Sequence, residues 1–148
     1  MSTSYEEVFD SYLSKIDDPI YTLLSQDDAE FDMLKLLNSA IVQFNYPKVD
    51  LRDKDDDFKQ FNQTLGLDEI EILSSLMKLE KFKRDVNRYD NIRQKMQDKD
   101  FRISSQASHL EALIKLKREM QDECNEMQTK YSFRNDNGAN FTGLSGGI

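Results

Sequence analysis

Apolar residues recur at helical spacing in four segments of the chain, and the first segment lies near the N-terminus. Ser4 and Glu7 have the spacing of a capping box, which is typical of a helix start. The apolar pattern behind them predicts a helix to about Lys15. Pro19 interrupts the pattern, because the residue before a proline is pushed out of helical geometry. The short apolar run at residues 20–25 predicts a connector packed on the core.

The second segment predicts an amphipathic helix that begins at Ser25 or Gln26 and ends before Pro47. Acidic residues follow its start, where the positive end of the helix dipole favours them. Its apolar stripe has spacings of three and four residues and consists of Phe31, Leu34, Leu37, Ile41 and Phe44.

The third segment predicts a helix from Asp68 to about Arg88, and the "NIRQKM" stretch after it predicts another helical turn or two. Its apolar stripe is broad, which indicates burial on more than one face. The stripe consists of Ile70, Ile72, Leu73, Leu76, Met77, Leu79 and Val86.

The fourth segment predicts the longest helix, which begins at Ser104 or Ser105 and runs to about Tyr131. Its narrow stripe resembles a seam against another helix and consists of Leu110, Leu113, Met120, Cys124, Met127 and Tyr131. About 27 residues reach roughly 40 Å at the ideal helical rise. A compact domain of this size needs less, so we expect part of the helix to pack on another subunit.

Two regions lack a helical pattern. Residues 47–65 favour a loop with two short paired strands, with an irregular loop as the alternative. Residues 132–148 hold four of the five glycines of the chain, a composition that sustains neither a helix nor a central strand. The predicted fold is therefore mostly α: a small antiparallel helical bundle at 1–131, with a short β-hairpin around 47–65 and an extended C-terminal arm at 132–148.

Apolar side chains occur at intervals along the glycine-rich arm. Contacts with a partner would have to offset the entropy lost when such a segment is ordered. We therefore expect the arm to bind the partner, as an added strand on its surface. The predicted partner-binding residues are Phe133, Arg134, Phe141, Leu144 and Ile148.

The charge of the chain is uneven. Residues 1–60 carry 14 acidic and 6 basic side chains, a balance of −8, whereas the remaining 88 residues carry 14 of each. This balance argues against duplex DNA binding by the N-terminal part. No signal peptide or membrane-spanning run is visible, and Cys124 is the single cysteine. We expect an intracellular protein without an intrachain disulfide or membrane contact.

The sequence offers little catalytic chemistry. The acidic cluster around Asp55 starts like a calcium loop but has Phe58 where the turn needs glycine and Thr64 where a bidentate glutamate is needed. His109 is the single histidine and Cys124 the single cysteine, so the sequence indicates neither a zinc site nor a catalytic Cys–His nucleophile pair. We expect no enzymatic activity, no cofactor and no metal.

A basic run at residues 78–102 holds nine Lys or Arg against five acids. It has two interpretations. In the first, it is a helix flank whose charge neutralises the acidic first part of the same chain or of a neighbour. In the second, it is a surface that faces a subunit or DNA. The candidate residues for the charged surface are Lys78, Lys81, Arg84 and Arg88.

The stretches "FKQFN", "LDEIEILSSLM", "SSQASHLEAL" and "YSFRN" carry a resemblance to a known family. Over most of residues 5–135 the chain resembles the small neck proteins of tailed bacteriophages, the head–tail adaptors that form a ring under the portal. The segment from Lys78 to Arg88 is more basic than that pattern leads us to expect.

The resemblance implies a structural virion protein without catalytic residues. It implies a homo-oligomeric ring, expected to be a dodecamer matching the portal, in the neck of a virion assembled in the host cytoplasm. The implied partners are the portal protein, a stopper or tail-completion protein, and the double-stranded DNA that passes through the channel. The resemblance also implies that the C-terminal arm leaves the bundle and docks on the portal or on a neighbouring protomer. The alternative function is a small intracellular nucleic-acid-associated regulatory protein that uses residues 78–102.

Overall fold

Helices make up most of the structure, a computed structural model that describes residues 1–97 and 103–134. The helices are α1 (Tyr5–Lys15), α2 (Ile20–Leu23), α3 (Gln26–Gln43), α4 (Leu67–Gln97) and α5 (Ile103–Phe133). The strands are β1 (Thr3–Ser4), β2 (Lys54–Asp55) and β3 (Gln60–Phe61). The predicted fold class, mostly α with a short β-hairpin, is confirmed.

Serine side chains cap helices α1 and α3 at the predicted positions. The Ser4 hydroxyl accepts a hydrogen bond from the Glu6 amide at 3.2 Å, and the Ser25 hydroxyl accepts one from the Asp28 amide at 3.2 Å. Each contact satisfies an amide that has no partner inside the helix.

Helix α4 is the centre of the bundle, because α1, α3 and α5 all pack against it. The prediction that this helix is buried on more than one face is confirmed. Its buried apolar side chains are Ile72, Leu73, Leu76, Met77, Leu79 and Val86. Tyr5, Val8 and Tyr12 of α1, with Leu37 and Ala40 of α3, complete the core.

Helices α4 and α5 form an antiparallel hairpin. Arg134, just after α5, pairs with Asp68 at the start of α4 at 2.9 Å. Nearer the opposite end, the ring of His109 stacks edge-on against Tyr89, with ring centroids 5.0 Å apart. The predicted seam of α5 therefore packs on a helix of the same chain, with Leu110, Met120, Cys124 and Tyr131 buried.

A small antiparallel sheet in the order β1–β3–β2 lies beside α1. Strands β2 and β3 are the paired strands predicted within residues 47–65. The third strand, β1, is too short for its two residues to show a pattern. It pairs Thr3 with Phe61, and the Thr3 hydroxyl accepts a hydrogen bond from the Leu65 amide at 2.8 Å. The sheet thus ties the N-terminus to the segment that leads into α4.

The structure differs from the sequence predictions at three places. Phe31, predicted in the buried stripe of α3, is 62% exposed, because α3 turns Ala29, Met33 and Leu36 toward the core instead. Helix α4 continues past Arg88 to Gln97 as one helix. Helix α5 continues through Phe133, so the first two residues of the predicted arm belong to the helix.

Candidate functional site

Two of the four predicted surface bases, Lys81 and Arg84, lie in ion pairs within the chain. Lys81 is 5% exposed and donates to the carboxylates of Asp18 and of Asp85, the latter at 2.7 Å. Burial lowers the pKa of the Lys81 ammonium, but the hydrogen bonds to the two carboxylates outweigh it and leave this pKa raised. Lys81 therefore does not face solvent. Its positive charge is paired with a carboxylate of the acidic N-terminal part of its own chain, Asp18.

Arg84 belongs to a partly buried polar network between α1, α2, α3 and α4. Its guanidinium donates two hydrogen bonds to Asp32, at 2.7 and 3.0 Å, and the Tyr21 hydroxyl donates a third at 2.8 Å. The Tyr12 hydroxyl lies 3.0 Å from that of Tyr21. Arg84 holds the pKa of the Asp32 carboxyl below its usual range, against the opposing effect of burial. Burial raises the pKa of Tyr21 to about 12. This bidentate, charge-assisted geometry is typical of a structural contact.

The other two predicted bases, Lys78 and Arg88, have no ion-pair partner within the described residues. Arg88 is exposed and Lys78 is half-buried. Arg88 shares a face of α4 with Asn91, Ile92 and Lys95. The pKa of the Asp18 carboxyl is lowered by its hydrogen bond to Lys81 and further by the charge of Arg88, so Arg88 is partly balanced within the chain. Lys95, further along this face, makes no ion pair within the described residues.

The acidic cluster at residues 53–57 spans strand β2 and the first half of the β2–β3 turn. The Asp55 carboxylate accepts hydrogen bonds from the amides of Asp57 and Phe58 at 2.9 and 3.1 Å, a local turn that aspartate favours. Asp56 accepts from the Tyr5 hydroxyl and from Lys54, each at 2.6 Å. Within residues 1–97 and 103–134, no group of three or more His, Cys, Asp or Glu side chains is arranged to hold a metal ion.

The thiol of Cys124 and the ring of His109 both face α4. Cys124 is 5% exposed, and burial raises the pKa of its thiol to about 11, which disfavours the reactive thiolate. His109 packs on Tyr89. Both side chains take part in packing the hairpin.

An aromatic groove lies between α1 and α3. We define it by the residues that line a space of about 250 Å³: Tyr5, Phe9, Asp27, Glu30, Phe31, Leu34 and Lys59. Tyr5 and Phe9 are buried, whereas Phe31 is mostly exposed and carries the ammonium of Lys35 4.4 Å from its ring centre. Lys59 pairs with Glu30 across the groove. The groove was missed from the sequence because Phe31 fits the spacing of the buried stripe equally well.

A second surface is the distal hairpin, which we define as residues 87–97 of α4 with residues 103–113 of α5. In the part of the chain that the structure describes, no residue of α4 beyond Val86 makes a hydrogen bond or ion pair with the N-terminal half. Ile92 is 47% exposed there, and Ile114 and Leu116 just beyond it are 37% and 44% exposed. Leu116 also lines a space with Ile16 and Phe82, whereas Ile92 lies further from the N-terminal elements.

The predicted arm residues are described only in part. Phe133 is 65% exposed at the end of α5, and Arg134 pairs with Asp68. Phe141, Leu144 and Ile148 lie outside the described residues, so the prediction that they bind a partner stays a prediction.

No family model, no curated protein and no solved structure matches this chain. Among the described residues, no helix has both the length and the apolar character to cross a membrane.

Proposed function

We propose that this protein is a structural assembly subunit, a head–tail adaptor of a tailed bacteriophage that joins the portal to the stopper or tail and lines the DNA exit channel. The proposal gives it no catalytic role. Its work is to present surfaces to copies of itself and to the portal.

One observation carries the proposal best. Charged side chains of the bundle body are engaged with one another, as in Lys81 with Asp18 and Arg84 with Asp32, whereas large apolar side chains lie exposed at the groove and on the distal hairpin. Such exposed apolar surface is typical of protein–protein contacts. The portal and the tail as partners rest on the sequence resemblance.

Mass photometry of the full chain, alone and with a purified portal ring, tests the proposal. We expect a complex whose added mass is an integral number of subunits, with twelve as the expected number. A chain that stays monomeric beside the portal, yet binds duplex DNA with a steep salt dependence, would support the alternative of a nucleic-acid-associated regulatory protein.

The predicted arm is tested separately by truncation after Arg134. This end point preserves α5 to Phe133 and the Arg134–Asp68 pair, both of which a deletion from residue 132 would remove. We expect loss of portal binding with an unchanged far-ultraviolet circular dichroism spectrum. Portal binding at full affinity by the truncated chain would refute the arm as the docking element.

The nucleic-acid alternative has one observation in its favour, the exposed bases Arg88 and Lys95 on a face of α4 with Asn87 and Asn91. The internal pairing of Lys81 and Arg84 weakens it, because those charges are not free to replace counterions on phosphates. Fluorescence anisotropy with a duplex at several salt concentrations measures this directly. If the logarithm of the DNA affinity hardly changes with the logarithm of the salt concentration, the nucleic-acid alternative is rejected.

A further inference from the structure

A pocket lies between the end of α3 and the segment that leads to strand β2. We call it the base pocket, and its volume of about 440 Å³ falls within the range typical of binding pockets, roughly 300–1,000 Å³. The apolar side chains that line it are Ile41, Val42, Phe44, Val49 and Leu51. Val42 is 72% exposed, so the pocket offers apolar surface that no described part of the chain covers.

The last turns of α5 hold the loop at the mouth of the base pocket. The Gln128 side chain accepts a hydrogen bond from the Asn45 amide, and the Tyr131 hydroxyl accepts one from the Lys48 amide at 2.9 Å. The Tyr131 ring packs edge-on against Phe44, with ring centroids 5.3 Å apart, and the Lys48 ammonium lies 4.8 Å from its centre. The pocket is therefore preformed, which lowers the entropy lost when an occupant binds.

The chain leaves the described residues close to this pocket. The amide of Arg134, the last described residue, donates a hydrogen bond to the Tyr131 carbonyl at 3.1 Å. Residues 135–148 follow it. Phe141 is the seventh residue beyond Arg134, and seven residues span at most about 24 Å. Phe141 is therefore tethered within reach of the base pocket.

The tether favours the arm over a separate molecule as the occupant. A segment joined by a short linker has an effective concentration in the millimolar range at a nearby site. The aromatic groove lies further from the start of the arm, since Phe31 at its edge precedes Val42 by about 16 Å along α3 at the helical rise. A weak apolar site beside the start of the arm is thus filled first by the arm itself.

The charge at the rim of the base pocket also fits the arm. Lys48 and Arg52 are exposed and line the pocket with a single acid, Asp50, and neither base has an ion-pair partner among the described residues. Asp136 is the only charged side chain in residues 135–148, and it lies close to the start of this segment. A negative charge at the start of the arm thus meets a rim with a net positive charge.

We propose that residues 135–148 fold back onto the base pocket of their own chain, with Phe141 in the pocket and Asp136 facing Lys48 and Arg52. The contact goes beyond the proposed function, because it requires neither a portal nor a second copy. It gives the arm a resting site on its own subunit. A partner that binds the arm has to displace it from this site.

Cysteine cross-linking within one chain tests the contact. The full chain carries V42C and T142C together, and the buried native Cys124 stays in place. Under mild oxidation of dilute protein, we expect an intrachain disulfide that forms at least ten times faster than in the control pair L23C and T142C. Leu23, on α2, is a matched position because it is 82% exposed. Equal rates at positions 42 and 23 would overturn the proposed contact.

A dilution series distinguishes the pocket of the same chain from that of a second copy. An intrachain contact gives the same fraction of cross-linked monomer at every protein concentration. An arm that binds a second copy gives linked dimers, whose fraction rises with concentration. If a mixture of the two single variants, V42C and T142C, forms linked dimers as fast as the double variant forms its intrachain disulfide, the proposed contact is rejected in favour of a second copy.

Methyl NMR gives a measurement that does not depend on cysteine chemistry. Truncation after Arg134 should shift the methyl resonances of Ile41 and Val42, and F141S in the full chain should reproduce most of that shift. I148S, at the far end of the arm, is the control and should reproduce little of it. Unchanged resonances in the truncated chain, or a larger effect of I148S than of F141S, would contradict the placement of Phe141 in the pocket.

A charge exchange tests the rim. D136R and R52D should each slow the intrachain disulfide between positions 42 and 142 several-fold, and the double variant should recover most of the rate. Losses that simply add in the double variant would count against a contact between Asp136 and Arg52.

Addition of a purified portal ring separates this inference from the proposed function. Methyl resonances that move to the positions of the truncated chain would show the arm displaced by the portal, and would support both. A chain that shows the intrachain contact but does not bind the portal would support the contact and reject the adaptor function. A chain that binds the portal but shows neither the cross-link nor the methyl shift would leave the adaptor function standing and reject the contact.

Discussion

The two halves of α4 bury very different surfaces although they form one continuous helix. Between Ile72 and Val86 the helix is surrounded by α1, α3 and α5, and most of its apolar side chains are buried. From residue 87 to Gln97 it extends as the distal hairpin, and Ile92 is 47% exposed. The first half holds the fold together, and the second half presents a surface.

The same comparison applies to charge. In the first half, Lys81 and Arg84 are held by aspartates from the N-terminal elements. In the second half, Arg88 and Lys95 are without an ion pair in the part of the chain that the structure describes. Charges that stabilise the fold and charges that are free to meet a partner thus lie on one helix, separated by about one turn.

The sharpest test of the comparison is a matched pair of truncations on α4. Leu76 is 0% exposed, so L76A should lower the free energy of unfolding by about 2–5 kcal/mol through lost burial and the cavity left behind. I92A in the distal half should lower it by about 1 kcal/mol or less. Urea unfolding followed by circular dichroism, on dilute protein, measures both.

Equal losses in the two variants would contradict the division of α4. If I92A proved as destabilising as L76A, Ile92 would be buried by an element of its own chain. Ile92 would then not be available to a partner.

The partly buried network around Asp32 should give a smaller effect that depends on pH. D32N removes the acceptor charge for the two Arg84 hydrogen bonds, and we expect a loss of about 1–3 kcal/mol at pH 7. D10N, at an exposed position of α1, is the matched control and should change stability by less than about 0.5 kcal/mol.

The pH dependence follows from the lowered pKa of the Asp32 carboxyl. An aspartate in the unfolded chain titrates near pH 4, so the stabilisation from Asp32 is fully present above that pH. It is lost as the pH falls through the lower pKa of the folded state. The wild type should therefore lose more stability than D32N between pH 5 and pH 2, measured as the shift in urea midpoint. Parallel losses would mean that Arg84 does not hold the carboxylate.

The distal hairpin should respond locally to the loss of its aromatic contact. Y89A removes the edge-on stack against His109, a contact worth about 0.5–1.5 kcal/mol. Amide hydrogen exchange at residues 87–95 and 108–113 should then accelerate several-fold, while residues 70–80 of α4 keep their protection. Acceleration spread evenly over α4 would contradict the view that its two halves open separately.

The helices could be predicted from the sequence because their signals are local. The capping serines Ser4 and Ser25, and the broad stripe of α4, act within a few residues of themselves. The buried face of α3 could not be chosen in the same way. Phe31 and Met33 both fit helical spacing, and only the packed structure shows that Ala29, Met33 and Ala40 are on the buried face.

The candidate surfaces were predictable only in part for the same reason. The basic run was visible, but an ion pair between Lys81 and Asp18 joins positions 63 residues apart and leaves no sequence pattern. Strand β1 pairs with β3 across a similar separation. Sequence spacing identifies charged and apolar residues. The fold determines which charges form ion pairs and which apolar side chains are buried within the chain.

The smallest expected effect concerns the end of α5, where the described chain meets the predicted arm. Arg134 pairs with Asp68, but the two side chains are 60% and 48% exposed, so R134A should lower the free energy of unfolding by at most about 1 kcal/mol. A double-mutant cycle with D68A isolates the pair from the effect of each charge on its own helix end. If R134A nevertheless abolishes portal binding while stability is nearly unchanged, Arg134 acts in positioning the arm and not in holding the bundle. If both binding and stability are unchanged, the arm begins to matter only beyond residue 134.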